Sequence, residues 1–221
     1  MLDAPRKRNV QNVKILATSD LHGKLKRFKK AVLREKPEIV IIAGDITDRS
    51  GDDRARAART WKALGDFCAS DDAKGIDFVV VPGNHDEGSR RIAKELFRQT
   101  DNIHYLDRHA PAPTEIRGIR FFGGEKNKPE KLRKIHGKAD VVVFHYNPTE
   151  GDARMAVVRQ LDPELVIYGH HHRSNHREHF EKKPDRFLKM NVSTWVESGY
   201  GYYLVDYTRG GAITADWKDG R

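Results

Sequence analysis

Five short apolar runs each end on residues that hold metals or move protons. Val13–Ala17 leads into Thr18-Ser19-Asp20-Leu21-His22, and Ile39–Ala43 into Gly44-Asp45-Ile46-Thr47-Asp48. Phe78–Val81 leads into Pro82-Gly83-Asn84-His85-Asp86, Val141–Phe144 ends on His145, and Leu165–Tyr168 on Gly169-His170-His171-His172. One Asp or His after a strand is usually a helix cap or a surface residue. Five in series, all of one chemical character, point to a single polynuclear metal site. Carboxylate, imidazole and amide oxygen without thiolate suit Mn²⁺, Fe or Zn²⁺ better than a closed structural zinc site. Asp20 and His22 stand two apart, as do His170 and His172, so extended backbone would project each pair to one side. His171 is then expected to point away and not to ligate.

The elements that must position these residues follow from the pattern of the runs. Lys14 apart, each is apolar throughout rather than alternating, as in strands covered on both faces. Between the first two, Leu25, Phe28, Val32 and Leu33 give Lys24–Glu35 one apolar stripe, with Lys26, Arg27, Lys29 and Lys30 mostly off it and Pro37 closing the segment. Asp52–Cys68 and Ser89–Gln99 read as further helices, with Ser89 as N-cap. The order β-α-β-α-β predicts an α/β domain with a largely parallel sheet, and its C-terminal edge is where sites are built. Beyond Asn102, Thr114–Phe122 reads as two short strands broken at Gly118, and Pro129–Gly137 as a short helix. Phe187, Tyr200–Tyr207 and Ile213–Trp217 read as a β-meander. A single domain over residues 1–221 is expected, with a loose tail over residues 1–12.

The motifs Asp20-x-His22, Gly44-Asp45-x-x-Asp48, Gly83-Asn84-His85-Asp86, His145 and Gly169-His170-x-His172 together resemble the calcineurin-like metallophosphoesterase superfamily. They stand in that family's order and cover about two thirds of the chain, from Asp20 to His172. The resemblance implies a four-layer αββα sandwich of two mixed sheets flanked by helices. It implies two divalent ions, one held by Asp20, His22, Asp45 and His172, the other by Asp45, Asn84, His145 and His170, with Asp45 bridging. Manganese is the first expectation, with Fe, Zn, Ni or Co as alternatives. His85 would protonate the leaving group, Asp48 would hold its imidazole, and Arg49 would contact the phosphate. The reaction implied is hydrolysis of a phosphodiester or phosphomonoester by metal-activated hydroxide. Phe144-His145-Tyr146-Asn147-Pro148 departs from the Thr-His-x-Pro-Pro-like segment of many relatives. Asp48 stands where purple acid phosphatases have a tyrosine ligand.

The rest of the sequence narrows the setting. A lone cysteine, Cys68, excludes an intramolecular disulfide and a Cys-based zinc site. No apolar run approaches the roughly 20 residues of a bilayer span, and no secretory leader is evident, so a cytoplasmic protein without a membrane partner is expected. The net charge of +9 suits anionic partners. A small phosphoester, nucleotides included, is the expected substrate. A nuclease acting on DNA or RNA is the alternative, and a non-catalytic interaction module on the same fold a third reading, against which His85 argues. Nucleic acid is not the favoured partner, because Lys24–Lys30 reads as a solvated helix face with no aromatic residues interleaved.

Overall fold

The computed structural model describes residues 12–48, 53–106, 112–124, 135–172, 177–180, 187–193 and 201–219. In chain order the described elements are β1 (Asn12–Thr18), α1 (Leu25–Glu35), β2 (Ile39–Ala43), α2 (Arg54–Cys68), β3 (Asp77–Val81), α3 (Arg90–Phe97) and β4 (Ile103–Tyr105). There follow β5 (Thr114–Ile116), β6 (Ile119–Gly124), β7 (Val141–Phe144), α4 (Ala153–Leu161), β8 (Leu165–Tyr168), β9 (Arg177–Phe180), β10 (Phe187–Asn191), β11 (Gly201–Thr208) and β12 (Ile213–Asp219). The expected tail over residues 1–12 falls almost wholly outside the described residues, as does most of the expected helix Pro129–Gly137.

The unbroken apolar runs have a direct cause: every second side chain faces a different core. Val13, Ile15 and Ala17 of β1, Ile39, Ile41 and Ala43 of β2 and Val79 and Val81 of β3 meet Val141, Val143, Leu165 and Ile167 of β7 and β8 in a central layer. Leu16, Val40, Ile42, Phe78 and Val80 face outward beneath Phe28 and Val32 of α1, Trp61 and Leu64 of α2, and Ala93 and Phe97 of α3. On the other side, Val142, Phe144 and Val166 are covered by Met155, Val158 and Leu161 of α4. The result is two mixed six-stranded sheets face to face with helices outside both, ordered β12-β11-β1-β2-β3-β4 and β5-β6-β7-β8-β10-β9.

The expected C-terminal meander is not formed. β10 lies in the second sheet, parallel to β8 and antiparallel to β9, whereas β11 and β12 make an antiparallel pair in the first sheet, with β11 beside β1. Alternating strands need a neighbour on each free edge, and β1 and β8 offered edges on different sheets. Ser89 stands before α3, but its hydroxyl caps nothing there; it accepts from Trp61 Nε1 at 2.8 Å and donates to the Asp86 carbonyl at 3.1 Å.

Polar clasps hold the sheets together at the end opposite the loops after β1, β2 and β3. Asp140, just before β7, accepts from Arg120 Nη2 at 2.7 Å in its own sheet and from Arg209 Nε at 3.1 Å in the β11–β12 turn. Glu164 accepts from Tyr207 Oη at 2.6 Å and from the Gly210 amide at 2.8 Å. Among the described residues, no helix is long and apolar enough to cross a membrane.

Candidate metal centre

At the other end of the sandwich, the loops leaving β1, β2, β3, β7 and β8 converge. The loops after β1 and β2 are laced by backbone hydrogen bonds, from the Asp20 amide to the Gly44 carbonyl at 2.9 Å and from the His22 amide to the Asp45 carbonyl at 3.0 Å. Ser19 and Ser193 form a parallel bridge that joins the extension of β1 to that of β10, so the two sheets meet beside Asp20. Glycine before Asp45, Asn84 and His170 lets these loops touch. A Cβ on Gly83 would strike the Asp45 carboxylate, one on Gly169 the Ser19 hydroxyl, and one on Gly44 the His145 ring.

The ligand candidates do not converge through extended backbone, as the i, i+2 spacing suggests. Asp20 (φ 56°), His22 (φ 43°), Asp45 (φ 53°) and His170 (φ 68°) all lie in the left-handed region. Strands end before them, and the chain turns sharply to keep within reach of the neighbouring loop. Asp and His tolerate this region better than most side chains, but the conformation is strained and concentrates at functional sites.

Three clusters of candidate ligand atoms result, each with its atoms within 4.8 Å of one another: Asp20, His22 and His172; His22, Asp45 and His85; and Asp45, His145 and His170. Asn84 joins the last set, with Oδ1 at 2.9 Å from His145 Nε2. His171 is exposed and belongs to none of the three. Asp20 is buried, and its Oδ2 accepts from the Ser193 hydroxyl at 2.7 Å, from the His170 amide at 3.1 Å and from the Ser19 hydroxyl. Its Oδ1 lies 3.2 Å from His172 Nε2. Asp45 Oδ1 accepts from the His85 amide at 2.8 Å, and Oδ2 lies 3.2 Å from His145 Nε2 and 3.8 Å from His85 Nε2.

The donor set fits a divalent cation in charge as well as position. Burial acts to raise the Asp20 carboxyl, but His172, His145 and the two serine hydroxyls hold it down to about 2. Asp45 is likewise held low, by His145 and the His85 amide against the effect of burial. Burial pulls the imidazoles of His22 and His170 below the ordinary histidine value, which favours the neutral, ligating form. His145 is opposed by burial but raised by Asp45, and its Nδ1 rests 2.8 Å from the Ala43 carbonyl, leaving Nε2 toward the cluster.

The remaining expected residues are placed differently. Asp48 Oδ2 pairs with Arg56 Nη2 at 3.0 Å, while His85 Nδ1 is buried with no hydrogen-bond partner, so the expected hold of Asp48 on that imidazole is not seen. Arg49 lies outside the described residues. Sequence reasoning missed Ser19, Ser193 and Asp86. Asp86 is fully buried and ties the loops after β2 and β3 together, accepting from the Thr47 amide at 2.8 Å, the Gly83 amide at 2.8 Å and the Ile46 amide at 3.2 Å. Tyr146 tilts over His170, ring centroids 4.4 Å apart, with the Arg154 guanidinium on its ring at 5.1 Å. Only the position of Asp86 within Gly83-Asn84-His85-Asp86 could have signalled any of these.

Comparison with solved structures places this architecture among known ones. One crystal structure superimposes with a TM-score of 0.67 at 16% identity, covering 93% of this chain and 99% of the other. GAP50, the anchor in the inner membrane complex of Plasmodium, gives 0.56 at 15% identity, over 95% of this chain and 85% of the other. A dimetal phosphatase from Danio rerio gives 0.49 at 13% identity, over 92% and 98%. No curated protein matches the sequence at a significant level. A sequence family model for calcineurin-like phosphoesterases matches residues 13–174, which include every residue of the three clusters. The chain belongs to the calcineurin-like phosphoesterase family.

Proposed function

We propose that this protein hydrolyses phosphoesters, with diesters favoured, using two divalent ions of which manganese is the first choice. The observation that carries the reading is the sharing of Asp45 between two of the three ligand clusters, which suits a bridging carboxylate. Asp20, His22, Asp45 and His172 would hold one ion, and Asp45, Asn84, His145 and His170 the other. Bound there, the ions would supply positive charge to the phosphoryl oxygens and acidify water for attack. Asp45 is fixed for this by the His85 amide, and Asp20 by its two serines. His85 stands at the edge of the cluster as the group able to give the departing alkoxide its proton. Its buried Nδ1 lacks a partner, so its orientation comes from the backbone anchor on Asp45 rather than from Asp48.

The test is His85→Ala, assayed with Mn²⁺ on diesters of good and poor leaving groups. The expected result is a kcat lower by roughly 10²–10⁴-fold with metal content nearly intact. The loss should be smaller for p-nitrophenolate, which leaves without a proton. Equal losses for both leaving groups would remove His85 from this role. A fall in bound metal that tracks the fall in activity would make His85 a ligand, as its place beside His22 and Asp45 allows.

A further inference from the structure

The two imidazoles assigned to the second ion, His145 and His170, are held by different means. His145 turns Nδ1 to the Ala43 carbonyl at 2.8 Å, which fixes its ring. His170 has its backbone secured, the amide donating to Asp20 Oδ2 at 3.1 Å. Its ring nitrogens form no hydrogen bond among the described residues. What the ring touches is other rings: Tyr146 at 4.4 Å between centroids, His145 at 5.1 Å and His171 at 5.4 Å. His145 is itself a ligand candidate and His171 is exposed, which leaves Tyr146 as the wall against which His170 rests.

A metal-binding histidine ordinarily gives its other ring nitrogen to a carboxylate, a carbonyl or water, and that partner sets the ring's orientation. We propose that Tyr146 is the positioning residue for His170, its ring taking the part that the Ala43 carbonyl takes for His145. The proposal rests on the reading of His170 as a ligand of the ion it shares with Asp45, Asn84 and His145. Tyr146 suits this part because it is held in turn. The Arg154 guanidinium lies 5.1 Å from its ring centroid, within reach of cation–π attraction. Arg154 is gripped by Asp152, with Nε at 3.0 and 3.1 Å from the two carboxylate oxygens and Nη2 on Oδ2. Asp152 also caps α4, accepting from the Arg154 amide at 2.7 Å, and Met155, Val158 and Leu161 seat that helix on the second sheet. A series of contacts therefore runs from an anchored helix end to the His170 imidazole. The pairing matters for charge as well. A lone guanidinium beside a site for cations would repel them, whereas Arg154 with Asp152 brings no net charge. The Tyr146 hydroxyl forms no hydrogen bond among the described residues, so the ring rather than the phenol oxygen makes the support.

The experiment titrates metal-stripped protein with Mn²⁺ by calorimetry, and EPR of the same samples separates a coupled pair of ions from a single one. The parent is expected to take up two ions. Y146L should weaken one site by about tenfold and leave the other within about twofold of the parent. The site it spares should match the one that survives in His170→Ala. At Mn²⁺ concentrations that fill the parent, the signal of a single ion should then replace that of the pair. Y146F keeps the ring and should bind both ions as the parent does. R154M leaves the ring but removes its cation, and should weaken the same site by about threefold; it carries the test should Y146L not fold. Unchanged binding in Y146L and R154M, Y146F as weak as Y146L, or equal weakening of both sites would overturn the role of Tyr146 while leaving the centre standing. A parent that binds fewer than two ions would instead overturn the two-ion reading, and the positioning of His170 with it.

Discussion

Ser193 shows how a residue far away in sequence sets the state of a ligand. With its hydroxyl, the Ser19 hydroxyl and the His170 amide all on Oδ2, Asp20 is left with Oδ1 to offer a cation. Ser193→Ala removes one of these bonds and lets the carboxylate turn. Metal affinity, measured by calorimetry with Mn²⁺, is expected to fall by about 10–100-fold, the usual effect of losing a partner behind a ligand. An unchanged affinity would mean that Ser19 and the amide suffice. The ligand candidates themselves were legible in the sequence, because Asp, His and Asn after apolar runs carry their chemistry in their type. Their supports were not. Ser193 bonds across 173 positions, and nothing about a serine marks it as the partner of a distant carboxylate.

The same division between local and distant information holds for the elements. β1, β2, β3, β7 and β8 announced themselves because strands buried on both faces become unbroken apolar runs. The partners of β10 and β11 stayed hidden, since an alternating strand records that it has two faces but not which edge it joins. The left-handed turns at Asp20, His22, Asp45 and His170 were also invisible, being imposed by neighbouring loops against local preference. Asp140 is the element-scale support most open to test. Burial acts to raise its carboxyl, but Arg120 and Arg209 hold it below the ordinary aspartate value. Its contribution to stability is therefore present above about pH 4, the unfolded value, and is lost as pH falls through the lower folded value. Asp140→Asn should cost about 2 kcal/mol near pH 7. The gap in Tm between parent and variant should close as the solution is acidified. A gap that persists undiminished into strong acid would show that shape, not charge, makes the clasp.

Across the whole molecule, the candidate centre draws its ligands from both halves of the sandwich. Asp20, His22, Asp45 and Asn84 follow strands of the first sheet, and His145, His170 and His172 follow strands of the second. A cation bound there ties the sheets at one end, as the Asp140 and Glu164 clasps do at the other. It binds the folded state alone, so at a hundredfold excess over Kd it should add about 2.7 kcal/mol, or roughly 5–11 °C in Tm. Thermal unfolding with and without Mn²⁺ measures this directly. Asp45→Asn, which removes the shared carboxylate charge, should abolish most of the increment. An equal increment in that variant would separate the stabilising ion from the proposed centre.

The place of β11 beside β1 also has a meaning in time. On the ribosome, at about 5–20 residues per second, the strand Asn12–Thr18 waits roughly 10–40 s before Gly201–Thr208 is made. All seven candidate ligands are complete at His172, before that partner exists. During the wait β1 presents an open edge to other chains. An early-arriving cation would gather the growing chain around its centre while that edge is still bare.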